Sequence, residues 1–279
     1  MIDLNRDLLI SIVFRTISYL AFAVVIAIFA LTIADGLQYF SWDFFFQSPK
    51  NGMSAGGIFP AIIGSLVMLA LCLAIAIPIG LMTGIYLSEY RGNSKMAQVL
   101  LSAITALAGV PSVVYGLFGL ALFSIAFGFK TSILSGSLTL AIMTLPVISS
   151  SVQEALSSIP RVIRESAYAL GAKKTEVIYK VLIPYARLRI LTAVLIGGGR
   201  VIGETAPILL TGAIFYATQM PSTLLEPTMT MPTHIYYITM AYGNDAQWMA
   251  KGTISLLMIF VLLIYSIAFG LRNRMNKQK

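Results

Sequence analysis

PRVIRESAYALGAKKTEVIYKVLIP, residues 160–184, is the most charged stretch of a chain that is otherwise mostly oil. Ser158 and Pro160 predict a helix start, a hydroxyl cap followed by a proline in the first turn. Gly171 can take the positive φ that ends that helix. A second short helix is expected from about Lys173, with Glu176 and Lys180 paired one turn apart and Pro184 closing it. Two short helices around a glycine, carrying many charges between apolar runs, form a docking elbow for something in water. The plainer reading is a solvated connector that happens to be helical.

Outside the elbow, composition decides the class. The chain is 58% hydrophobic and 11% charged over 279 residues, against roughly 25% charged for ordinary soluble domains. A soluble fold has no room for that much apolar surface, so an all-α integral membrane protein is expected. The single cysteine, Cys72, lies in an apolar run and reads as a packing residue. With one Cys and one His a metal site is not expected, and His234, just after Pro232, reads as a loop histidine at the surface or packed. The net charge of +8 raises the question of nucleic acid. Its distribution argues against it, because Lys and Arg sit at the ends of apolar spans.

A helix crosses the hydrocarbon core with about 20 residues. On that ruler six spans are expected, near 8–34, 58–87, 97–127, 132–150, 188–215 and 253–271. The first is too long for a signal-peptide core of roughly 7–15 residues and is expected to stay as an anchor. The amino end, the second-to-third loop, the elbow and the carboxyl tail carry fifteen Lys and Arg, including Arg6, Arg91, Arg274, Lys277 and Lys279. The opposite loops hold Lys50, Lys130 and Lys251 beside Asp35, Asp43, Glu226 and Asp245. Both termini and the elbow are therefore expected on the cytoplasmic side.

The spans are not uniform cylinders. Gly80 and Gly84 have the small-xxx-small spacing that lets backbones approach, and Pro78 just before them predicts a kink. Gly109-Val-Pro111-Ser112, Tyr115-Gly116 and Gly119 fit a broken helix beside a cavity, or plain tight packing. Pro146 reads as a kink or an exit signal. Gln38–Gly57, with Trp42, Phe44, Phe45 and Phe46, reads as an external loop at the membrane interface, and Met220–Pro232 as a second one. Trp248 marks the re-entry of the last helix. No internal repeat or linker divides residues 1–279, so one membrane domain is expected.

The fifth span holds the chemistry, Gly197-Gly-Gly-Arg200-Val-Ile-Gly203-Glu204-Thr205-Ala206-Pro207. Arg200 and Glu204, four apart, are expected to share one helix face and form an ion pair. A charge at the bilayer centre costs at least about 2.5–3.5 kcal/mol on insertion scales, so it is retained where it faces protein or a watery path. A guanidinium is a planar fork of donors suited to a tetrahedral oxyanion. Glu204 would hold the fork and keep the anion from sticking, and Thr205 would add a hydroxyl donor. The plainer reading is an ion pair that only fixes helix packing.

These segments carry a resemblance. Glu165-Ser166-Ala167, then Gly171, then Ile183-Pro184 resembles the cytoplasmic loop of ABC importer permeases, whose pattern is Glu-Ala-Ala, three residues, Gly, and an Ile-x-Leu-Pro ending. Arg200-x-x-Gly203-Glu204-Thr205-Ala206-Pro207 is similar to phosphate importer permeases, of the PstA type more than its partner PstC. So are Gly56-Gly-Ile-x-Pro60-Ala-Ile-x-Gly64-Ser65-Leu66, Ile85–Tyr90 and Leu107–Gly119. In that family a basic residue can follow the Leu-Pro of the fourth span, whereas here Leu145-Pro146 leads into Ser149-Ser150-Ser151.

The resemblance implies the type I ABC importer permease fold in a bacterial inner membrane, with a coupling helix between spans four and five. It implies that Glu165, Ala167, Gly171 and Pro184 serve ATPase coupling. The implied partners are a PstC-type permease, two PstB-type ATPase subunits that bind ATP and Mg, and a PstS-type phosphate-binding protein. The chain itself has no Gly-x-x-x-x-Gly-Lys-Ser/Thr loop, so it is not expected to hydrolyse ATP. A permease for sulfate, molybdate or phosphonate would use the same parts, and a secondary transporter or channel would leave the elbow without a partner.

Overall fold

The computed structural model describes residues 4–90, 94–241 and 246–276. Of the charges used to set the orientation, Arg91, Asp245, Lys277 and Lys279 lie outside the described residues, as do the side chains of Arg6 and Arg274. In chain order the helices are α1 (Leu4–Leu37), α2 (Trp42–Phe46), α3 (Phe59–Ile85), α4 (Lys95–Ala108), α5 (Ser112–Gly119), α6 (Ile133–Ser157) and α7 (Arg161–Ala169). They continue with α8 (Lys174–Glu176), α9 (Ile183–Ile202), α10 (Ala206–Thr211), α11 (Met231–Ala241) and α12 (Gln247–Asn276). π-helical turns extend α3 over Tyr86–Tyr90 and α5 over Leu120–Ala126, and join α8 to α9 over Val177–Leu182.

Among the described residues five helical rods are long and apolar enough to cross a membrane, and a sixth crossing needs α4 and α5 together. Those two meet at 108°. The expected third span, 97–127, is therefore broken. Pro111 has no N–H to continue a ladder and drives Val110 out of the helical region, so α4 ends at Ala108. The Tyr115 hydroxyl donates to Leu107 O at 2.8 Å and ties the corner.

The centre of the bundle is the pair α3 and α6, the most extensively packed pair of elements among the described residues. A methyl group at Gly80 would lie 2.6 Å from Ile148 Cγ2, and one at Gly84 2.6 Å from Val152 Cβ. The small-xxx-small spacing thus seats the Ile148 and Val152 side chains directly on the α3 backbone. Overpacking such a seam costs about 1–3 kcal/mol. Gly84→Val is expected to lower the monodisperse fraction recovered from membranes in detergent, and a wild-type yield would show that α3 and α6 tolerate separation.

Neither inner proline ends its helix. α3 runs on through Pro78, and α6 continues past Pro146 to Ser157, so the fourth span has no exit there. The outer segments are more built than loops. Ser41 caps α2, its oxygen accepting from Phe44 N, and a two-stranded hairpin pairs Pro49–Lys50 with Ala55–Gly56. Phe44 is not an interface residue; it is fully buried against Gly252 of α12, while Trp42 stays exposed. Trp248, at the start of α12, donates from Nε1 to Ser54 O.

The expected second outer loop also turns inward. Met229, Thr230, Met231 and Thr233 are buried, and Ser65 of α3 accepts a hydrogen bond from Met231 N at 2.8 Å. His234 belongs to α11 rather than a loop and is fully buried. Cys72 is buried in the α3–α6 core, as a packing residue.

Candidate anion path and docking elbow

The helix of the fifth span stops at Ile202. Gly203 donates to Arg200 O and Glu204 to Val201 O, a closing turn, and α10 resumes at Ala206-Pro207. Arg200 is therefore in the last turn of α9 and Glu204 lies beyond the helix end, not on the same helical face as expected. The turn still returns the carboxylate, with Arg200 Nε 3.4 Å from Glu204 Oε1. Among the described residues Glu204 is the one hydrogen-bonding partner of that guanidinium, and both terminal nitrogens remain unpaired. Thr205 sits at the amino end of α10, where its hydroxyl makes no capping bond.

The three glycines before Arg200 fix the direction it faces. A side chain on Gly197 would meet Thr144 and Ile148 of α6, one on Gly198 Leu73 and Leu69 of α3, and one on Gly199 Tyr265 and Ile264 of α12. Successive helix residues are about 100° apart, so three neighbours occupy three directions and Arg200 takes the fourth. It points into the open side between α12 and α6. Its side chain is 45% exposed and that of Glu204 17%.

The two broken spans meet beside this pair. A methyl group on Gly116 of α5 would come 2.9 Å from Pro207 Cα of α10. Irregular backbone at membrane depth is tolerated where it is buried in protein or lines a wet path. Here two such segments lie together, next to a half-exposed cation.

In the elbow, α7 ends as expected and Gly171 takes φ +82°, with open space where a methyl group would stand. Glu176 pairs with Lys180 at 2.9 Å. Two expectations fail. Pro160, with φ −55° and ψ 139°, is itself the cap of α7, while Ser158 ends α6 and donates to Ala155 O. Pro184 closes nothing, because the chain runs without interruption from Lys174 to Ile202. The missing proline N–H falls where the π-helical turn has already widened the helix, so no break follows.

Ala167 packs inward on the core, while Glu165 and Pro184 lie at the surface. Apolar Val162, Leu170 and Tyr179 are exposed, Leu170 to 89%.

A residue missed in the sequence holds the elbow in place. Arg164 donates from Nη2 to Glu89 Oε1 at 3.0 Å and to Leu156 O at 2.7 Å, and from Nη1 to Ile159 O at 2.6 Å. Its side chain is 17% exposed and that of Glu89 7%. Lys174 lies 4.0 Å over the Tyr90 ring. The signal was present, since Glu89 stands alone at the end of a long apolar run.

The chain belongs to the family of binding-protein-dependent transport system inner membrane components, whose pattern matches residues 76–278. It is 32% identical to a probable phosphate transport system permease protein PstA of Methanocaldococcus jannaschii, over 79% of this chain and 78% of that one. It is 29% identical to a probable ABC transporter permease protein, YqgI, of Bacillus subtilis, over 86% of each. In structure it is similar to a bacterial alginate ABC transporter solved with its pentasaccharide-bound periplasmic protein. The TM-score is 0.68 at 17% identity, over 99% of this chain and 97% of that one. The fold is thus that of ABC importer permeases, multi-pass inner-membrane proteins that work with a substrate-binding protein and an ATPase.

Proposed function

We propose that this chain is the PstA-type permease of an ATP-driven phosphate importer and forms half of the path, with Arg200 meeting the anion. The observation that carries this reading is a guanidinium with both terminal nitrogens unpaired, on the open face of the bundle where two broken spans meet. A planar fork of donors suits a tetrahedral oxyanion, and Glu204 limits how tightly it is held. Thr205 adds a hydroxyl at the break.

The chain acts as one membrane domain over residues 1–279, with both termini and the elbow in the cytoplasm. Its other half is a PstC-type permease. Two PstB-type subunits supply ATP hydrolysis and a PstS-type protein delivers phosphate. Exposed Leu170, Val162 and Tyr179 give the elbow an apolar tip for an ATPase cleft, and Arg164 ties that tip to α3 and α6.

ATP-driven uptake of labelled phosphate by the purified complex in proteoliposomes tests the reading. Excess sulfate, molybdate or phosphonate is expected to leave uptake intact, and strong competition by one of them would reassign the substrate. Uptake by this chain alone, without ATPase, would make it a secondary transporter or channel. For orientation, Leu170→Cys in membranes without the ATPase subunit is expected to react with an impermeant maleimide in inverted vesicles only. Labelling from outside intact cells would defeat the coupling role.

A further inference from the structure

A cavity of about 420 Å³ opens between the ends of α6, α9 and α12, lined by Arg189, Arg272, Ser151, Ser158, Thr192 and Glu154. We propose that it is a second phosphate-oxyanion site, at the opposite end of the face that carries Arg200. The proposal rests on the phosphate reading above and extends it.

Arg189, Ala193, Ile196 and Arg200 follow one another at helical spacings of four, three and four, so they occupy one face of α9. That is the face turned to the gap between α6 and α12. Along the helix Arg189 lies roughly 16 Å from Arg200, at about 1.5 Å per residue. An anion leaving one guanidinium along this groove meets the next.

The donors are specific. Arg189 donates from Nη1 to the Ser158 hydroxyl, which holds it across the cavity. Arg272 has no hydrogen-bonding partner among the described residues and lines the same space. Thr192 and Ser158 use their protons on Leu188 O and Ala155 O, so Ser151 is the remaining hydroxyl donor. Two guanidinia face one carboxylate, Glu154, so the cavity carries net positive charge with an acid beside it. Arg200 and Glu204 combine the same kinds of group one to one, a cation for binding and an acid that keeps binding weak enough for release.

Basic charge at the end of a span is commonly only positive-inside bias. Here two arginines from different helices converge on one cavity. Such pockets between spans also take lipid phosphates, so the ligand is a phosphate group, either free or on an inner-leaflet headgroup.

The test uses the co-purified complex in nanodiscs with Ile196→Cys, a 43% exposed apolar position lining the cavity. In phosphatidylcholine, inorganic phosphate is expected to slow maleimide labelling. Arg272→Gln should demand about tenfold more phosphate, the scale of one charge-assisted hydrogen bond. Arg272→Lys should restore part of the effect, and Arg200→Gln should leave it in place. Protection by phosphatidylglycerol without added phosphate, lost in Arg272→Gln, would assign the site to a headgroup.

Labelling that responds to neither source, or that Arg272→Gln leaves unchanged, overturns the proposal. So does protection that vanishes with Arg200→Gln, since the cavity would then be only the vestibule of the first site. ATP-driven uptake by the same preparation is read in parallel. Uptake without protection rejects the second site and keeps the transport reading, while protection without uptake does the reverse.

Discussion

Arg200→Gln is expected to abolish phosphate uptake while the full complex still assembles and its ATPase still turns over. A charge-assisted hydrogen bond contributes about 1.5–3 kcal/mol, and a bidentate grip on an oxyanion uses two. Losing both removes on the order of a hundredfold or more in affinity at the site. Glutamine keeps the length and polarity of the side chain but not the fork. Truncating one partner of a buried ion pair would instead cost about 3–5 kcal/mol and lower the yield of assembled complex. That larger penalty is not expected, because the Arg200 side chain is 45% exposed and faces away from α3, α6 and α12.

Immunodetection of the complex beside the uptake assay separates the two roles. Absent uptake with normal assembly supports anion contact, and absent assembly shows that the pair only packs the bundle. Glu204→Gln gives the contrast. Removing the acid should strengthen phosphate binding and slow its release, so uptake falls while retained phosphate rises.

The parts of this arrangement legible in the sequence are those set by composition and spacing. Apolar length places the rods, Gly80 and Gly84 announce the α3–α6 seam, and Gly171 announces the positive φ of the elbow. Hydropathy does not encode backbone direction. The run from 97 to 127 is apolar throughout, so the ruler gives one span, while Gly109-Val-Pro111-Ser112 offers, beside tight packing, the broken helix that turns the chain by 108°. Proline is also ambiguous by itself. Pro111 breaks a helix, Pro78 and Pro146 do not, and Pro184 is absorbed by a π-helical turn.

At the site, both residues of the pair were identified and the break between them was not. Gly203-Glu204-Thr205 ends α9, and Pro207 in the first turn of α10 has no N–H to carry the ladder back to Gly203, while α10 packs on α5 and α6. Arg164 was hidden because its partners are remote in sequence, a carboxylate at Glu89 and two carbonyls at the end of α6.

Arg164→Ala is expected to uncouple the importer, leaving ATPase bound and hydrolysing but cutting phosphate uptake at least about tenfold. The elbow reaches the spans through the continuous rod from Lys174 to Ile202, the contacts of Ala167 with the core and of Lys174 with the Tyr90 ring, and the Arg164 clasp. The rod passes movement to α9. The clasp adds hydrogen bonds to the π-helical end of α3 and the end of α6, so both sides of the groove move with the elbow. Without it Glu89, its side chain 7% exposed, is left as a nearly buried carboxylate with Ser88 as its one hydrogen-bonding partner among the described residues. Removing one member of a buried pair costs about 3–5 kcal/mol. Arg164→Ala with Glu89→Gln relieves that penalty without rebuilding the clasp, so the double variant should regain protein yield but not uptake. If yield and uptake return together, Arg164 is only a stabilising residue. The opposite end of the elbow supplies the control. Leu170→Asp changes the exposed tip and leaves the clasp intact, so it should release the ATPase from the purified complex, which Arg164→Ala should not.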